Sequence, residues 1–283
     1  MLRWNLESRA VPNVEAATNL GNDYHKHRVF EELLLLEEFY DSLAYGVFGF
    51  MTRGAGSAVN IDSYVLSSVS GTLHSIRRVA SDGHLSDAYT LLRKYHDLAV
   101  LNLHINLIIE RTDIFETPII ESVRSWVRFK HRFPKYSTMM KDIQTSEKTL
   151  PLRGVFDLTK GGQYDAIRDR CNDHTHVNLF RYALLNDANI HIERLIWLDI
   201  LYSDVRQLFA FHISHLFLVC EHYMASSDYV DALEVGMTPE DGSQYWVAPF
   251  VQEALDRCVT PLYPAAMAAL ATHTEMMLRV DRG

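Results

Sequence analysis

The sequence predicts an all-α protein: a single domain built on a long antiparallel helical bundle with irregular connecting loops. Thirteen glycines and eight prolines are few for 283 residues, whereas an all-β chain needs many turns. Residues 86–111 and 190–225 contain neither Gly nor Pro and are rich in apolar side chains. No repeat or shift in composition divides the chain, so we predict one domain over 1–283. Its bundle core covers about 28–225, and 226–283 form a C-terminal loop and helix.

The N-terminal half contains four predicted helices. Residues 28–50 are apolar on more than one face, which is typical of a buried helix. Residues 61–80 place apolar side chains three or four positions apart. Ser86 is a suitable N-cap for the next helix, which extends to Arg111. A further helix is expected over 119–133, between two prolines.

The C-terminal half begins with a predicted connecting loop over 146–163, which has the least periodic sequence of the central chain. Helical signals resume at Tyr164, and 190–225 predict the second long helix. Residues 226–248 resemble a loop because they contain two glycines and a proline. Pro249 starts a last helix, which two prolines interrupt: Pro261 and Pro264.

Charge and cysteine content exclude several classes of protein. The chain has 27 Lys and Arg against 36 Asp and Glu, which gives a net charge of −9. This charge excludes a protein that coats DNA or RNA along its length, because such a protein needs many clustered cations. It does not exclude one local basic site. The most apolar stretch, 208–219, has 12 residues and is too short to cross a bilayer. The N-terminus lacks the continuous apolar stretch of a signal peptide. We therefore expect a cytoplasmic protein with no membrane contact. Its three distant cysteines suit a reducing compartment: Cys171, Cys220 and Cys258.

The densest polar cluster is the segment 164–178, YDAIRDRCNDHTHVN. Such a cluster between two apolar helices is either a solvated connection or a functional site. In a continuous helix Arg170 and His176 lie about 120° apart, so they converge only if the helix loosens near Asn172 or a second subunit contributes. The β-branched residues Thr175 and Val177 make such a bend plausible. The candidate catalytic residues are Arg168, Asp169, Arg170, Asn172, His174 and His176.

This segment resembles the signature of HEPN-domain proteins, an arginine followed by four to six residues and a histidine late in a helical bundle. Two pairs match that spacing, Arg170 with His176 and Arg168 with His174, and Asp169 supplies the polar residue that often follows the arginine. The segment 171–178, CNDHTHVN, is similar to the N-x-x-x-H-x-N arrangement of many bacterial helical proteins, and 87–98, DAYTLLRKYHDL, is similar to their leading bundle helix.

The resemblance implies a metal-independent endoribonuclease of a bacterial defence or toxin system, without a cofactor. It also implies a homodimer whose two motifs face each other, and an antitoxin or other protein partner. A neutral histidine can remove the proton from a ribose 2′-OH, and arginine can hold the phosphate as negative charge builds on it. Asp169, Asn172 or Asp173 can orient the histidine or bind the substrate. Attack on the adjacent phosphate leaves a 2′,3′-cyclic end.

A second segment fits RNA as a substrate. Residues 124–136, RSWVRFKHRFPKY, interleave cations with aromatic side chains. Cations bind phosphates, and exposed aromatic rings stack on bases. The structural alternative is a helix whose aromatic stripe (Trp126, Phe129 and Phe133) faces the core while its cations face water. The candidate RNA-binding residues are Arg124, Arg128, Lys130, Arg132 and Lys135.

Two further polar features have mainly structural interpretations. His212 and His215 lie one turn apart in an apolar run, which predicts hydrogen-bonded core histidines rather than a metal site. Arg93 and Asp97 have the spacing of a helical surface ion pair, although an arginine there can instead brace the polar cluster. The alternatives to a ribonuclease are a non-catalytic helical protein–protein interaction module and, less well supported, a metal-dependent helical oxidase or hydrolase.

Overall fold

A computed structural model of the chain describes residues 20–48, 61–111, 125–126, 130, 132, 134–187 and 193–280. These residues form α-helices with short 3₁₀ and π segments, and no β-strand occurs among them. The helices are α1 (Asn22–His25), α2 (Arg28–Phe48), α3 (Ile61–Ser81), α4 (Leu85–Glu110), α5 (Tyr136–Thr145), α6 (Gln163–His176), α7 (Phe180–Leu184), α8 (Arg194–Val219), α9 (Asp228–Glu234), α10 (Pro249–Ala254) and α11 (Pro264–His273).

Helix α4 lies at the centre of the bundle and packs against α3, α5, α6 and α8. Its buried side chains occur on several faces, as expected for a helix surrounded by others. One hydrophobic cluster runs from Leu20 to Met276 and includes side chains from both halves of the chain. The all-α, single-domain helical bundle predicted from the sequence is therefore confirmed.

The start of α4 differs from the prediction. The helix begins at Leu85, with His84 at the N-cap, and no side-chain hydrogen bond caps it. Ser86 is buried, and its hydroxyl lies 3.1 Å from Nδ1 of His174 on α6. The hydroxyl is therefore engaged in helix packing, so the prediction that Ser86 is the N-cap is wrong.

The sequence analysis assigned no helix to 136–145, where the structure has α5. Only ten residues long, α5 contacts α4 and buries Met139, Met140 and Ile143. So short a stretch gives a weak periodic signal, and its packing against α4 stabilises it. The helix predicted over 119–133 lies mostly outside the described residues.

The remaining connections largely follow the predictions. Residues 146–163 are a loop with a 3₁₀ turn and an isolated bridge between Arg153 and Phe156. The predicted loop over 226–248 contains the short helix α9, none of whose residues is buried. Pro249 stands at the start of α10, as predicted. The interruption predicted at Pro261 and Pro264 separates α10 from α11, which begins at Pro264. Among the described residues, no helix has the length and apolar character needed to cross a membrane.

Candidate functional site

Helix α6 carries the predicted catalytic cluster, and it is continuous from Gln163 to His176. The expected loosening near Asn172 does not occur; the helix ends only at Val177, which adopts the left-handed conformation at φ 50°. Both predicted pairs, Arg170 with His176 and Arg168 with His174, therefore have members about 120° apart around the axis. The single chain does not bring either pair onto one face of the helix.

Arg170 turns towards α8 and the core. Its Nε and Nη2 atoms donate to the two carboxylate oxygens of Asp204 at 2.9 and 2.7 Å. The Asp204 side chain is only 2% exposed. Burial raises the pKa of Asp204, and the hydrogen bonds and charge of Arg170 oppose that shift. This two-point ion pair links α6 to α8 inside the bundle.

His174 is also part of the core. Its ring stacks on Tyr89 with centroids 4.2 Å apart and contacts the rings of Tyr182 and Trp197. Burial lowers the pKa of His174 to about 4; the charge of Asp173 opposes this shift, and the charge of Arg170 adds to it. The ring is therefore neutral at pH 7, but only 2% of the residue is exposed. Substrate cannot reach it without opening this aromatic packing.

Arg168 of α6 lies about 200° around the helix axis from Arg170, and it shares Asp97 of α4 with Arg93 of α4. Arg168 donates to Asp97 Oδ1 at 2.5 Å, and Arg93 Nε lies 3.3 Å from Asp97 Oδ2. Arg93 also donates from Nη1 to Oδ1 of Asn172. The Arg168 guanidinium lies 3.3 Å from the ring centroid of Tyr136, a cation–π contact. Arg93 therefore braces the polar cluster, the less usual of the two roles considered for it.

These side chains line a surface pocket of about 600 Å³ between α4, α5 and α6. The basic pocket, as we call it, is lined by three cations, Arg93, Lys94 and Arg168, against one carboxylate, Asp97. Lys94 is exposed and forms no ion pair within the described part of the chain. The remaining lining includes aromatic rings and hydroxyl groups: Trp126, Tyr136, Thr90 and Thr175. An acidic protein thus carries a local surplus of positive charge beside aromatic rings.

A hydrogen bond to a buried histidine positions Tyr136 in this pocket. Its hydroxyl lies 3.0 Å from Nε2 of His96, which is fully buried. Burial and the nearby charges of Arg168 and Arg93 lower the pKa of His96 to about 3, so the ring is neutral. Burial raises the pKa of Tyr136 to about 12, so the phenol stays protonated near pH 7. The ring that Arg168 stacks on, that of Tyr136, is therefore uncharged and fixed by a hydrogen bond.

His176 and Asp169 are both exposed on α6. His176 follows Asn172 by one helical turn, so the two side chains share a face of the helix. Arg93, which lines the basic pocket, donates to Asn172, and Thr175 lines the pocket too, whereas His176 is not one of its lining residues. The candidate site predicted from the sequence did not include Arg93. The i, i+4 spacing of Arg93 and Asp97 on α4 is the sequence pattern that could have indicated it.

The predicted RNA-binding segment is only partly described. Lys130, Arg132 and Lys135 have exposed side chains. Trp126 is half-buried, packs against the small apolar cluster that includes Ile105, and lines the basic pocket. Trp126 and Tyr136 of this segment thus line the same pocket as Arg168 and Thr175 of α6. Four residues of these predictions lie outside the described residues: Arg124, Arg128, Phe129 and Phe133.

His212 and His215 are core histidines, as predicted. His212 lies 2.7 Å from the Tyr40 hydroxyl and 2.9 Å from Oδ1 of Asn102. His215 Nδ1 lies 2.8 Å from the carbonyl oxygen of Phe211. Burial lowers the pKa of His212 to about 3 and that of His215 to about 4. Within the described ranges, no three His, Cys, Asp or Glu side chains are arranged to hold a metal ion.

Comparisons with family models, with curated proteins and with solved structures find no match to this chain. Arg93 and Asp97 of α4 contact Asn172 and Arg168 of α6, and His176 lies one helical turn beyond Asn172. Arg170 and His174 instead contact the buried residues Asp204 and Ser86.

Proposed function

We propose that this protein binds single-stranded RNA in the basic pocket and cleaves it without a metal ion, as a HEPN-like ribonuclease. The observation that carries the proposal is the convergence of two separate sequence segments on one pocket: the polar face of α6 and the aromatic, cationic segment that leads into α5. Three cations against one carboxylate favour the binding of a phosphate group, and aromatic side chains favour stacking of an unpaired base.

The mechanism follows from the positions of the side chains. Arg93 and Arg168 are the phosphate-binding residues of the proposal, because their ion pairs to Asp97 orient both guanidinium groups at the pocket. His176 is the general base, and Asn172 orients the substrate beside it. His176 takes the 2′-OH proton, the 2′ oxygen bonds to phosphorus, and the bond to the 5′ oxygen breaks as that oxygen gains a proton. The products are a 2′,3′-cyclic phosphate and a 5′-OH.

RNA binding is tested with Lys94→Glu and a fluorescent single-stranded RNA of mixed sequence. We expect an affinity loss of about tenfold and a salt dependence shallower by about one unit, because one phosphate contact is lost. Lys160→Glu, an exposed lysine outside the pocket, is the matched control. An equal loss of RNA affinity in both variants contradicts binding at the pocket, because both substitutions change the net charge of the protein by the same amount.

Cleavage is tested on the same RNA in EDTA, with analysis of the product ends. We expect 2′,3′-cyclic phosphates from the natural sequence and at least about a hundredfold slower cutting by His176→Ala at an unchanged melting temperature. His25→Ala, another exposed histidine, should cut normally. Binding without cutting overturns the catalytic half of the proposal, and equal cutting by His176→Ala removes the assigned base.

We further propose that two copies associate through the end of α6. Val177, Leu179 and Phe180 are 50%, 48% and 77% exposed and immediately follow His176. Burying these side chains against a second copy would place two basic pockets near one interface. Sedimentation of Phe180→Asp tests this: a dimer that becomes a monomer supports it, and a monomeric natural protein rejects it.

The proposed setting is the cytoplasm of a bacterium with a toxin or antiviral defence role, controlled by an antitoxin. The three cysteines are free and buried, which fits a reducing compartment. Expression of the natural protein and of His176→Ala in a bacterial host tests the toxic role. Growth arrest by the natural protein alone supports it, and equal growth contradicts it.

A non-catalytic interaction module is the second candidate, favoured by one observation: Arg168 and Arg170 are both engaged in ion pairs. In this alternative the polar face of α6 only holds the helices together. It predicts a folded protein with no RNA affinity and no RNA cleavage, which the two RNA experiments distinguish directly.

A further inference from the structure

A second cavity, of about 750 Å³, is lined by residues from α3, the end of α4, the 146–163 loop and the end of α8. Asp62 lies in its wall and is only 1% exposed. The nuclease proposal assigns no role to this cavity or to this carboxylate.

Asp62 accepts hydrogen bonds from three donors. Nδ2 of Asn102 and Nδ2 of Asn106 donate to Oδ1 at 2.5 and 2.8 Å, and the Tyr223 hydroxyl lies 2.7 Å from Oδ2. An ionised carboxylate accepts only, so three donors suit the charged form. Burial raises the pKa of Asp62 above its usual value, and these three hydrogen bonds offset only part of that rise.

A chain of hydrogen bonds through the core is oriented in the same sense. Because Asn102 donates to Asp62, its Oδ1 faces Nε2 of His212 as the acceptor, so Nε2 carries the proton. Nδ1 of this neutral ring then accepts from the Tyr40 hydroxyl, which in turn accepts from Tyr95 at 2.8 Å. Every donor in the chain points towards Asp62, which stabilises a negative charge there.

No cationic side chain of the described residues forms an ion pair with Asp62. A buried charge without a counter-ion is costly, so a positive group that enters the cavity gains from it. Glu147 and Glu221 also line the cavity, whereas its lysine, Lys148, is neutralised by Glu110 at 2.8 Å. The wall therefore carries a net negative charge.

The lining also distinguishes an organic cation from a metal ion. Ile109, Pro151 and Leu218 contribute apolar wall beside the carboxylates. Metal ions require several converging ligands, and the described residues contain no such group. An alkyl amine fits such a wall, because its ammonium group can pair with a carboxylate while its alkyl chain contacts the apolar side chains.

We propose that this cavity binds a short aliphatic di- or polyamine, with Asp62 as the counter-ion of one ammonium group and Glu147 or Glu221 near the other.

The test uses 1,4-diaminobutane as the probe, measured by isothermal titration calorimetry on the full chain. Asp62→Asn keeps the size of the side chain and removes its charge, so we expect the affinity to fall at least about tenfold. The uncharged analogue 1,4-butanediol should not bind. A diamine that does not bind, or that binds equally to Asp62→Asn, overturns the proposal.

A second variant keeps the test informative should Asp62→Asn fail to fold. Glu147 is exposed, so Glu147→Lys should fold and weaken diamine binding several-fold, whereas Glu234→Lys on α9 should leave it unchanged. Equal loss in both variants indicates attraction to the overall negative charge and rejects a site. Competition by Mg²⁺ at equal concentration rejects an organic cation as the ligand class.

Discussion

The two arginines of α6 that fit the sequence motif pair with carboxylates that differ in their exposure to water. Arg170 is paired with a carboxylate that is 2% exposed, whereas Arg168 is paired with Asp97, which is 45% exposed. Asp204 is shielded from water and Asp97 is not, although the side chain of Arg170 (30% exposed) is itself more exposed than that of Arg168 (14%). Arg170 therefore compensates a buried negative charge, whereas Arg168 pairs with a carboxylate that water also screens.

The Arg170–Asp204 pair yields a stability prediction. Arg170→Ala leaves a buried carboxylate without its partner, so the free energy of unfolding should fall by about 3–5 kcal/mol. Arg168→Ala removes a half-exposed ion pair and a cation–π contact, and should cost about 1 kcal/mol. Urea denaturation of both variants measures the difference. Equal losses would show that Asp204 is hydrated once Arg170 is gone.

Buried neutral histidines predict acid sensitivity. The pKa of His174 is about 4 in the folded protein, against about 6.5 in the unfolded chain. Between these values the unfolded chain binds the extra proton, so the free energy of unfolding should fall as pH drops from about 6.5 to 4. The slope from this one group approaches about 1.4 kcal/mol per pH unit. His174→Phe should reduce the slope; an unchanged slope contradicts the assignment.

At the scale of the element, α6 decides which side chains meet. Because the helix continues to His176, residues six positions apart diverge, and residues four apart, such as Asn172 and His176, share a face. The helix ends abruptly at Val177, a β-branched residue with φ 50° and ψ 44°. Glycine adopts this conformation without steric cost.

This helix end predicts a stabilising substitution. Val177→Gly relieves the strain of the left-handed conformation, so the free energy of unfolding of the single chain should rise by about 1 kcal/mol. Asp169→Gly, at an exposed interior position of the same helix, should instead cost about 1 kcal/mol. Melting temperatures give the comparison, and a loss of stability in Val177→Gly contradicts the strain argument.

At the scale of the whole molecule, one apolar core joins the N-terminal helices to the C-terminal segment. The cluster extends from Leu20 to Met276 and includes Leu270 of α11. A shared core makes unfolding cooperative, since no part of the described chain has a separate large core of its own. The C-terminal helices are therefore integral to the bundle.

This shared core predicts a single unfolding transition. Leu270→Ala should lower the free energy of unfolding by about 2–5 kcal/mol because the residue is fully buried. Circular dichroism and tryptophan fluorescence should shift together in urea. Met277→Ala, at a residue 56% exposed, should change stability by less than about 0.5 kcal/mol. Two separate transitions in the Leu270 variant would reveal an independent C-terminal unit.

Sequence periodicity alone determined the all-α class, the long helices α2, α3, α4 and α8 to within a few residues, and the burial of His212 and His215. Apolar spacing and the absence of Gly and Pro are local signals, and a buried helical face needs little more. The short helix α5 was missed because its stability depends on packing against α4.

Only the tertiary structure decided which polar side chains face water and which face the core. Arg168 and Arg170 have the same chemistry and nearly the same position in the sequence, yet one borders a surface pocket and the other a buried carboxylate. The partners that separate them, Asp97 and Asp204, come from α4 and α8, far away along the chain. The physical reason is that ion pairing and desolvation depend on distances in space, which the local sequence pattern does not contain.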